Sequence, residues 1–184
     1  MRPGDTGGMY ETEDELAALQ RLMDESLRGA SEHLRSIVTP GEHTLTAEQV
    51  VRVLTGMCTL SAATVTARHE PRISGVDGHF LHARWVFTTS GTAAKAHHLR
   101  ARPAISVAHI RGDDLGVFVH GEAEFLTPAD ADFDAIERHL VGHYGSSPSS
   151  WGDEIVYVRV RPTWMIAYAF EPAKLLAGLE PGPD

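Results

Sequence analysis

Apolar and polar positions recur along this chain with two different periods, and the change between them falls near residue 57. Between Thr12 and residue 36, Leu16, Leu19, Leu22, Met23 and Leu27 recur every three or four positions, which predicts one amphipathic helix over 12–36. Thr12 with Glu15 forms a capping box at its start, and Thr39-Pro40-Gly41 ends it. A second box, Thr46 with Gln49, opens a short helix carrying Val50, Val51, Val53 and Leu54, with Gly56 as its stop.

Beyond Met57 the pattern becomes β-branched and alternating. Thr59, Thr64, Val65 and Thr66 mark a first strand. Residues 72–76 and 81–89 read as two further strands joined at Asp77-Gly78, a dipeptide that favours tight hairpin turns. A short helix over 92–101 follows. Strands at 104–110 and 117–126 then flank the turn Arg111-Gly112-Asp113-Asp114. Thr127-Pro128 predicts the start of a helix over roughly 128–143, with Phe133, Ile136 and Leu140 as its apolar stripe. The Ser-rich stretch 145–150 reads as a surface crossing. Two last strands, 155–160 and 164–170, are expected to break at Arg161-Pro162, and the tail from Pro172 to be loosely held. About seven short strands with three or four helices predict a small barrel or sandwich with helices at its rim.

Composition narrows the functional classes. A chain of 184 residues with 42% hydrophobic side chains has ordinary globular character. Its single cysteine, Cys58, sits in an apolar run, reads as an inert buried thiol, and leaves no partner for an intrachain disulfide or a thiolate zinc cluster. A reducing, cytoplasmic location is expected. No apolar run approaches the roughly 20 residues that span a bilayer, and the first fifteen residues contain no apolar signal core, so no membrane role is expected. The net charge is −9, yet residues 68–111 hold seven basic side chains against two acidic ones. An acidic chain with one basic segment is a poor nucleic-acid binder and a reasonable host for one small anion.

The segment Val86-Phe87-Thr88-Thr89-Ser90-Gly91-Thr92-Ala93-Ala94-Lys95 is where that anion would sit. It brings a strand rich in hydroxyls, through a glycine, into the start of a helix, where unpaired amides and the helix dipole favour negative charge and Lys95 is one turn in. Arg72, on a neighbouring strand, is a second candidate ligand. The same residues also fit a plain cap, with Ser90 or Thr92 closing the helix and Lys95 facing water.

The histidines are less informative. His79 with His82, and His97 with His98, are the closest groupings, but strand and helix geometry turn the members of each pair apart, so no metal site is expected. Trp85 and Trp164 lie in apolar strands and read as core. Trp151, beside the Ser-rich loop, reads as the wall of a pocket mouth.

In order, Arg72 on a strand, Phe87-Thr88-Thr89, the Gly91 turn, Lys95-Ala96-His97-His98-Leu99, Pro103 opening the next strand and Gly121-Glu122-Ala123-Glu124 closing the following one resemble the pyridoxamine 5′-phosphate oxidase-like family. The resemblance runs from about Thr46 to Phe170. It implies a mainly β, α+β fold: a six-stranded antiparallel split β-barrel of Greek-key type over 45–171, preceded by a helical extension at 1–44 and followed by a tail at 172–184. It also implies a homodimer with a flavin site at the subunit interface. The FMN phosphate would lie near Arg72, Thr88, Thr89, Ser90, Gly91 and Lys95, and the ring along the strand at Ser74, Gly75 and Val76. Nothing in the resemblance assigns a catalytic residue, because the cofactor carries the redox chemistry.

Two departures bear on the activity. True pyridoxamine phosphate oxidases carry an arginine directly before the helix lysine, where this chain has Ala94. Their carboxyl-terminal substrate-binding residues are replaced here by Tyr157-Val158-Arg159-Val160-Arg161-Pro162-Thr163-Trp164. Leu99-Arg100-Ala101-Arg102-Pro103 and the shortened end look closer to the flavin and deazaflavin branch. The implied activity is hydride transfer between FMN, or an 8-hydroxy-5-deazaflavin coenzyme, and a small-molecule substrate. A non-catalytic flavin- or haem-binding carrier or sensor on the same fold is the alternative.

Overall fold

The computed structural model describes residues 10–152 and 154–179. Six antiparallel strands close into one barrel: β1 (Met57–Val65), β2 (Pro71–Leu81), β3 (Arg84–Ser90), β4 (Ala104–Arg111), β5 (Leu115–Leu126) and β6 (Ile155–Ala169). Around the barrel they run β1-β2-β3-β6-β5-β4. Alternate residues of each strand point inward, so Leu60, Trp85, Phe87, Val119, Val158 and Met165 fill one continuous core. The barrel is split because β2 pairs with β3 only over Gly78–Leu81, while the first half of β2 pairs with β1 alone. Past Phe87, β3 follows β6 instead.

The amino-terminal helices complete this barrel. α1 (Glu13–Arg28) carries the Thr12/Glu15 capping box, and α3 (Ala47–Val53) carries the Thr46/Gln49 box. Leu19 and Met23 of α1 and Val50 and Val53 of α3 belong to the same core as the strands. The expected single helix over 12–36 is two: Gly29 ends α1, and Ser31 starts α2 (Glu32–Ile37) by accepting from the Leu34 amide. A glycine stop followed two residues on by a serine cap outweighs the apolar stripe.

The second half of β6 lacks a β3 partner, and α1 lies along it. There the Met165 amide donates to the buried Ser26 hydroxyl at 3.0 Å. Removing that acceptor strands a buried donor, so Ser26→Ala is expected to cost about 1–3 kcal/mol. Urea denaturation of the two proteins measures it, and equal midpoints would show that this bond adds nothing.

Two predicted strand breaks are not breaks. β2 continues straight through Asp77-Gly78, and the chain reverses at His82-Ala83, both with positive φ (52° and 59°). Gly78 is a packing residue: a Cβ there would stand 2.4 Å from the Leu60 side chain. Likewise β6 passes through Arg161-Pro162 as one strand, because a register shift between His120 and Gly121 pairs Gly121 with Pro162 and leaves Thr163 as the extra residue. A proline is tolerated in a sheet at such an irregularity. The strands therefore number six, as the split barrel requires.

The fourth helix, α4 (Ala94–Ala101), starts two residues later than expected, and α5 (Phe133–Tyr144) about five later. In α5's case the Thr127 amide and hydroxyl both turn onto Asp130 and hold residues 127–130 as a turn. Residues 148–150 of the Ser-rich stretch form a short 3₁₀ turn. The tail forms α6 (Pro172–Ala177), whose Leu175 and Leu176 pack on the core, and residues 180–184 lie outside the described residues, as do the first nine. Cys58 is buried, and burial pushes its thiol up to about 11. No described helix is long and apolar enough to cross a membrane.

Candidate functional site

The end of β3 delivers Thr88, Thr89 and Ser90 to one rim of the barrel, and α4 leaves from there to cross that end toward β4. Ala96 and Leu99 bury the inner side of α4, and His98 Nδ1 lies 2.9 Å from the Thr64 hydroxyl of β1. Arg102 donates to the Val65 carbonyl at 3.1 Å. These two contacts tie the carboxyl-terminal half of the helix to the end of β1.

Neither predicted cap closes α4. The N-cap is Ala93, which makes no side-chain bond to the helix, and the amides of Ala94 and Lys95 have no acceptor among the described residues. Ser90 and Thr92 are occupied with one another: their hydroxyls lie 2.7 Å apart, and the Thr92 amide donates to Ser90 Oγ. Lys95 does not point to water. It is half-buried, and its ammonium donates to Thr89 Oγ1 at 3.3 Å. Two open amides, a helix dipole and a folded-back ammonium share one spot.

Gly91 has a different job from the one its sequence suggests. Its amide donates to the Glu154 carbonyl at 2.5 Å and its carbonyl accepts from Arg100 at 2.6 Å. A Cβ would meet both partners at 3.0 Å, so the residue is a buried pivot between β3 and α4. Thr88 is on the outward side of β3, opposite Tyr157.

The β2 candidates are arranged by alternation. Val76 is buried opposite Leu60 and Ser74 is half-buried opposite Ala62, whereas Gly75 is exposed opposite Ser61, with open space where a Cβ would stand. Arg72 is exposed and held by Glu70 at 2.8 Å, a carboxylate that Arg68 shares at 3.3 Å. No hydrogen bond joins it to Lys95 or Thr89 among the described residues. The structure thus brings Thr89, Ser90 and Lys95 together and leaves Arg72 paired elsewhere.

A concavity of about 880 Å³ lies between α2 and the outer faces of β4, β5 and β6. Ile110, Phe118, Trp164, Tyr168 and Phe170 line it. Trp164, expected in the core, is half-buried on this outer face and stacks on His120 with ring centroids 4.6 Å apart. Trp85 is core, 1% exposed. Trp151 is exposed and packs edge-on against Tyr144 at 4.9 Å.

Sequence reasoning missed a buried cluster on the far half of β2. His79 is 1% exposed, its Nε2 3.0 Å from the Tyr144 hydroxyl and its Nδ1 3.0 Å from His139 Nε2. His139 Nδ1 is in turn 3.0 Å from the Tyr10 hydroxyl. Burial first, then the neighbouring His139 and His143, push His79 down to about 3, so it is neutral at physiological pH. Burial and the Asp77 carboxylate raise Tyr144, which keeps its proton. The one local signal for this cluster was His139 and His143, four apart on α5 and so on one helix face.

No protein-family model matches the chain, and no curated protein matches it. Solved structures do match. The conserved hypothetical protein Rv2991 from Mycobacterium tuberculosis aligns with a TM-score of 0.60 at 16% identity, over 78% of this chain and 94% of that one. HutZ, a haem storage protein from Vibrio cholerae, aligns at 0.55 and 15% identity, over 66% of this chain and 93% of its own. An F420 reductase aligns at 0.50 and 22%, over 61% and 92%. Other neighbours are a proposed pyridoxamine 5′-phosphate oxidase from Listeria innocua and an FAD-binding protein from Mesorhizobium loti. At these identities the likeness is one of fold.

Proposed function

Proceeding from the pyridoxamine 5′-phosphate oxidase-like split-barrel fold, we propose that this chain is a homodimeric oxidoreductase that binds FMN, or a phosphate-bearing deazaflavin, and acts on a small molecule. The observation that carries the reading is the uncapped start of α4 with the Lys95 ammonium folded back to Thr89. Those groups fit a phosphomonoester: two amides to donate, a positive helix end, a cation and a hydroxyl. The exposed backbone at Gly75, with nothing where a side chain would be, fits a flat ring laid on β2. A bound flavin or deazaflavin supplies the hydride chemistry. The protein's own part is to anchor the phosphate and to hold the ring against a rigid strand.

The dimer is supported by an outward face that has small residues in its centre, Ser61 and Ala63 on β1 with Ser106 and Ala108 on β4, and apolar side chains around them. Ile73 is 76% exposed and Ile110 61%, a strong reason for a partner to cover them. Light scattering on the eluting protein tests this; a monomer at micromolar concentration contradicts it.

Titration with FMN and with the deazaflavin, followed by visible absorption and fluorescence, tests the cofactor. Lys95→Ala is expected to weaken binding by roughly 10- to 100-fold, the effect of losing a charge-assisted contact of about 1–3 kcal/mol. Unchanged affinity would mean the ammonium does not touch the ligand.

One observation favours haem as a second reading. His120 sits at the edge of the apolar groove, stacked on Trp164, with Nδ1 2.8 Å from Ser106 Oγ and Nε2 left for iron. A shift of the haem Soret band on adding the protein, lost in His120→Ala, would support a carrier or sensor.

A further inference from the structure

We propose that Tyr144, His79, His139 and Tyr10 form a proton wire connecting the outward face of β2 with solvent beyond α5. The four groups are joined by three contacts of 3.0 Å, running Tyr144 Oη to His79 Nε2, His79 Nδ1 to His139 Nε2, and His139 Nδ1 to Tyr10 Oη. One end, Tyr10, is 45% exposed. The other, Tyr144, feels the Asp77 carboxylate and packs on Trp151. Gly75, Asp77 and His79 share the outward side of β2, so the Tyr144 end opens two to four residues from where the ring is proposed to lie.

The tautomer of each histidine is set by the other. A neutral imidazole carries one N–H and one acceptor nitrogen. If Tyr144 donates to His79 Nε2, then His79 holds its proton on Nδ1 and donates to His139 Nε2. His139 then holds its proton on Nδ1 and donates to Tyr10. In the reverse polarity Tyr10 donates to His139 Nδ1, both histidines carry Nε2–H, and Tyr144 accepts from His79. Mixed tautomers put two N–H groups, or two lone pairs, face to face between the rings. With both imidazoles neutral, only two arrangements satisfy the chain, and passing one proton along it converts one into the other.

The proton count balances. A proton enters at the oxygen of one tyrosine, one leaves from the oxygen of the other, and all four side chains end neutral. No oxidant or reductant is involved. Because His79 is neutral and Tyr144 protonated at physiological pH, the wire stands ready without a net charge inside the protein. Its destination, a ring or substrate beside Asp77, rests on the function proposed above, whereas the coupling of the four groups does not.

The test is nitrogen NMR of the full chain labelled with ¹⁵N-histidine at about pH 7.5, with His79→Gln and His139→Gln used for assignment. The two histidines are expected to show the same tautomer, or the same tautomer ratio. Tyr144→Phe and Tyr10→Phe remove one end each and keep the ring. At least one of them is expected to change the ratio at the distal histidine by roughly threefold or more. Opposite tautomers at His79 and His139, or no change at the distal histidine in both variants, would overturn the wire. FMN added to the same samples separates the two ideas. Coupling without FMN binding leaves the wire and removes the cofactor. FMN binding without coupling does the reverse. FMN binding that leaves the Tyr144 and His79 signals unmoved overturns the proposed destination.

Discussion

Gly121→Ala is expected to destabilise the protein by about 2–4 kcal/mol, among the largest effects of any single methyl group in this chain. At the bulge between β5 and β6 a Cβ on residue 121 would lie 2.1 Å from the Arg161 carbonyl oxygen, 2.9 Å from its carbon and 3.0 Å from the Pro162 Cα. All three are backbone atoms, and they cannot swing aside as a side-chain tip would. The ladder on both sides of the bulge and the proline ring hold that backbone in place. Gly75→Ala is the control, since its Cβ would meet nothing within 4 Å, and a change below about 0.5 kcal/mol is expected there. Urea or guanidinium denaturation compares the three proteins. A Gly121→Ala protein as stable as the parent would mean the bulge can be rebuilt without cost.

Acidification should destabilise the protein through His79. Its folded-state pKa, near 3, is below the ordinary value of 6.5, so the unfolded chain takes up a proton first. The linkage therefore favours the folded state fully above about pH 6.5 and less and less as pH falls from there toward 3. By pH 5 the loss is about 2 kcal/mol from this residue. The groups facing it are His139 and His143 from α5, the Tyr144 hydroxyl and, beyond that, the Asp77 carboxylate; the first two oppose a charge on His79. Denaturation midpoints at pH 8 and pH 5, for the parent and for His79→Gln, isolate the term. The parent should lose more stability on acidification than the variant, and parallel losses would show that His79 is protonated as readily folded as unfolded.

Where a feature depended on neighbours in the chain, the sequence was sufficient. Both capping boxes and the Arg111–Asp114 turn stand where their residues put them, with Gly112 at positive φ. The handover from Thr88–Ser90 to a helix bearing Lys95 was equally visible. Features that depend on contacts between distant segments were not. Asp77-Gly78 has a turn's composition, but Gly78 is there because Leu60 crosses it, which no local pattern reveals. Pro162 looked like a strand end because the bulge that tolerates it is created by Gly121, forty-one positions earlier. The His79 cluster draws on three segments; His82 stands apart from it in the turn after β2, at positive φ, and strand alternation says nothing of His139 behind His79. Arg72 is visible in the sequence as a cation on a nearby strand, but Glu70, two residues away on the turn before β2, takes its charge.

The claim that the start of α4 grips a phosphate is tested most directly by comparing FMN with riboflavin, which has the same ring and no phosphate, on the parent protein and on Lys95→Ala. FMN should bind the parent roughly 10- to 100-fold more tightly than riboflavin, and that preference should largely vanish in the variant. Equal affinity for the two flavins on the parent, or a preference that survives the loss of Lys95 undiminished, would contradict it.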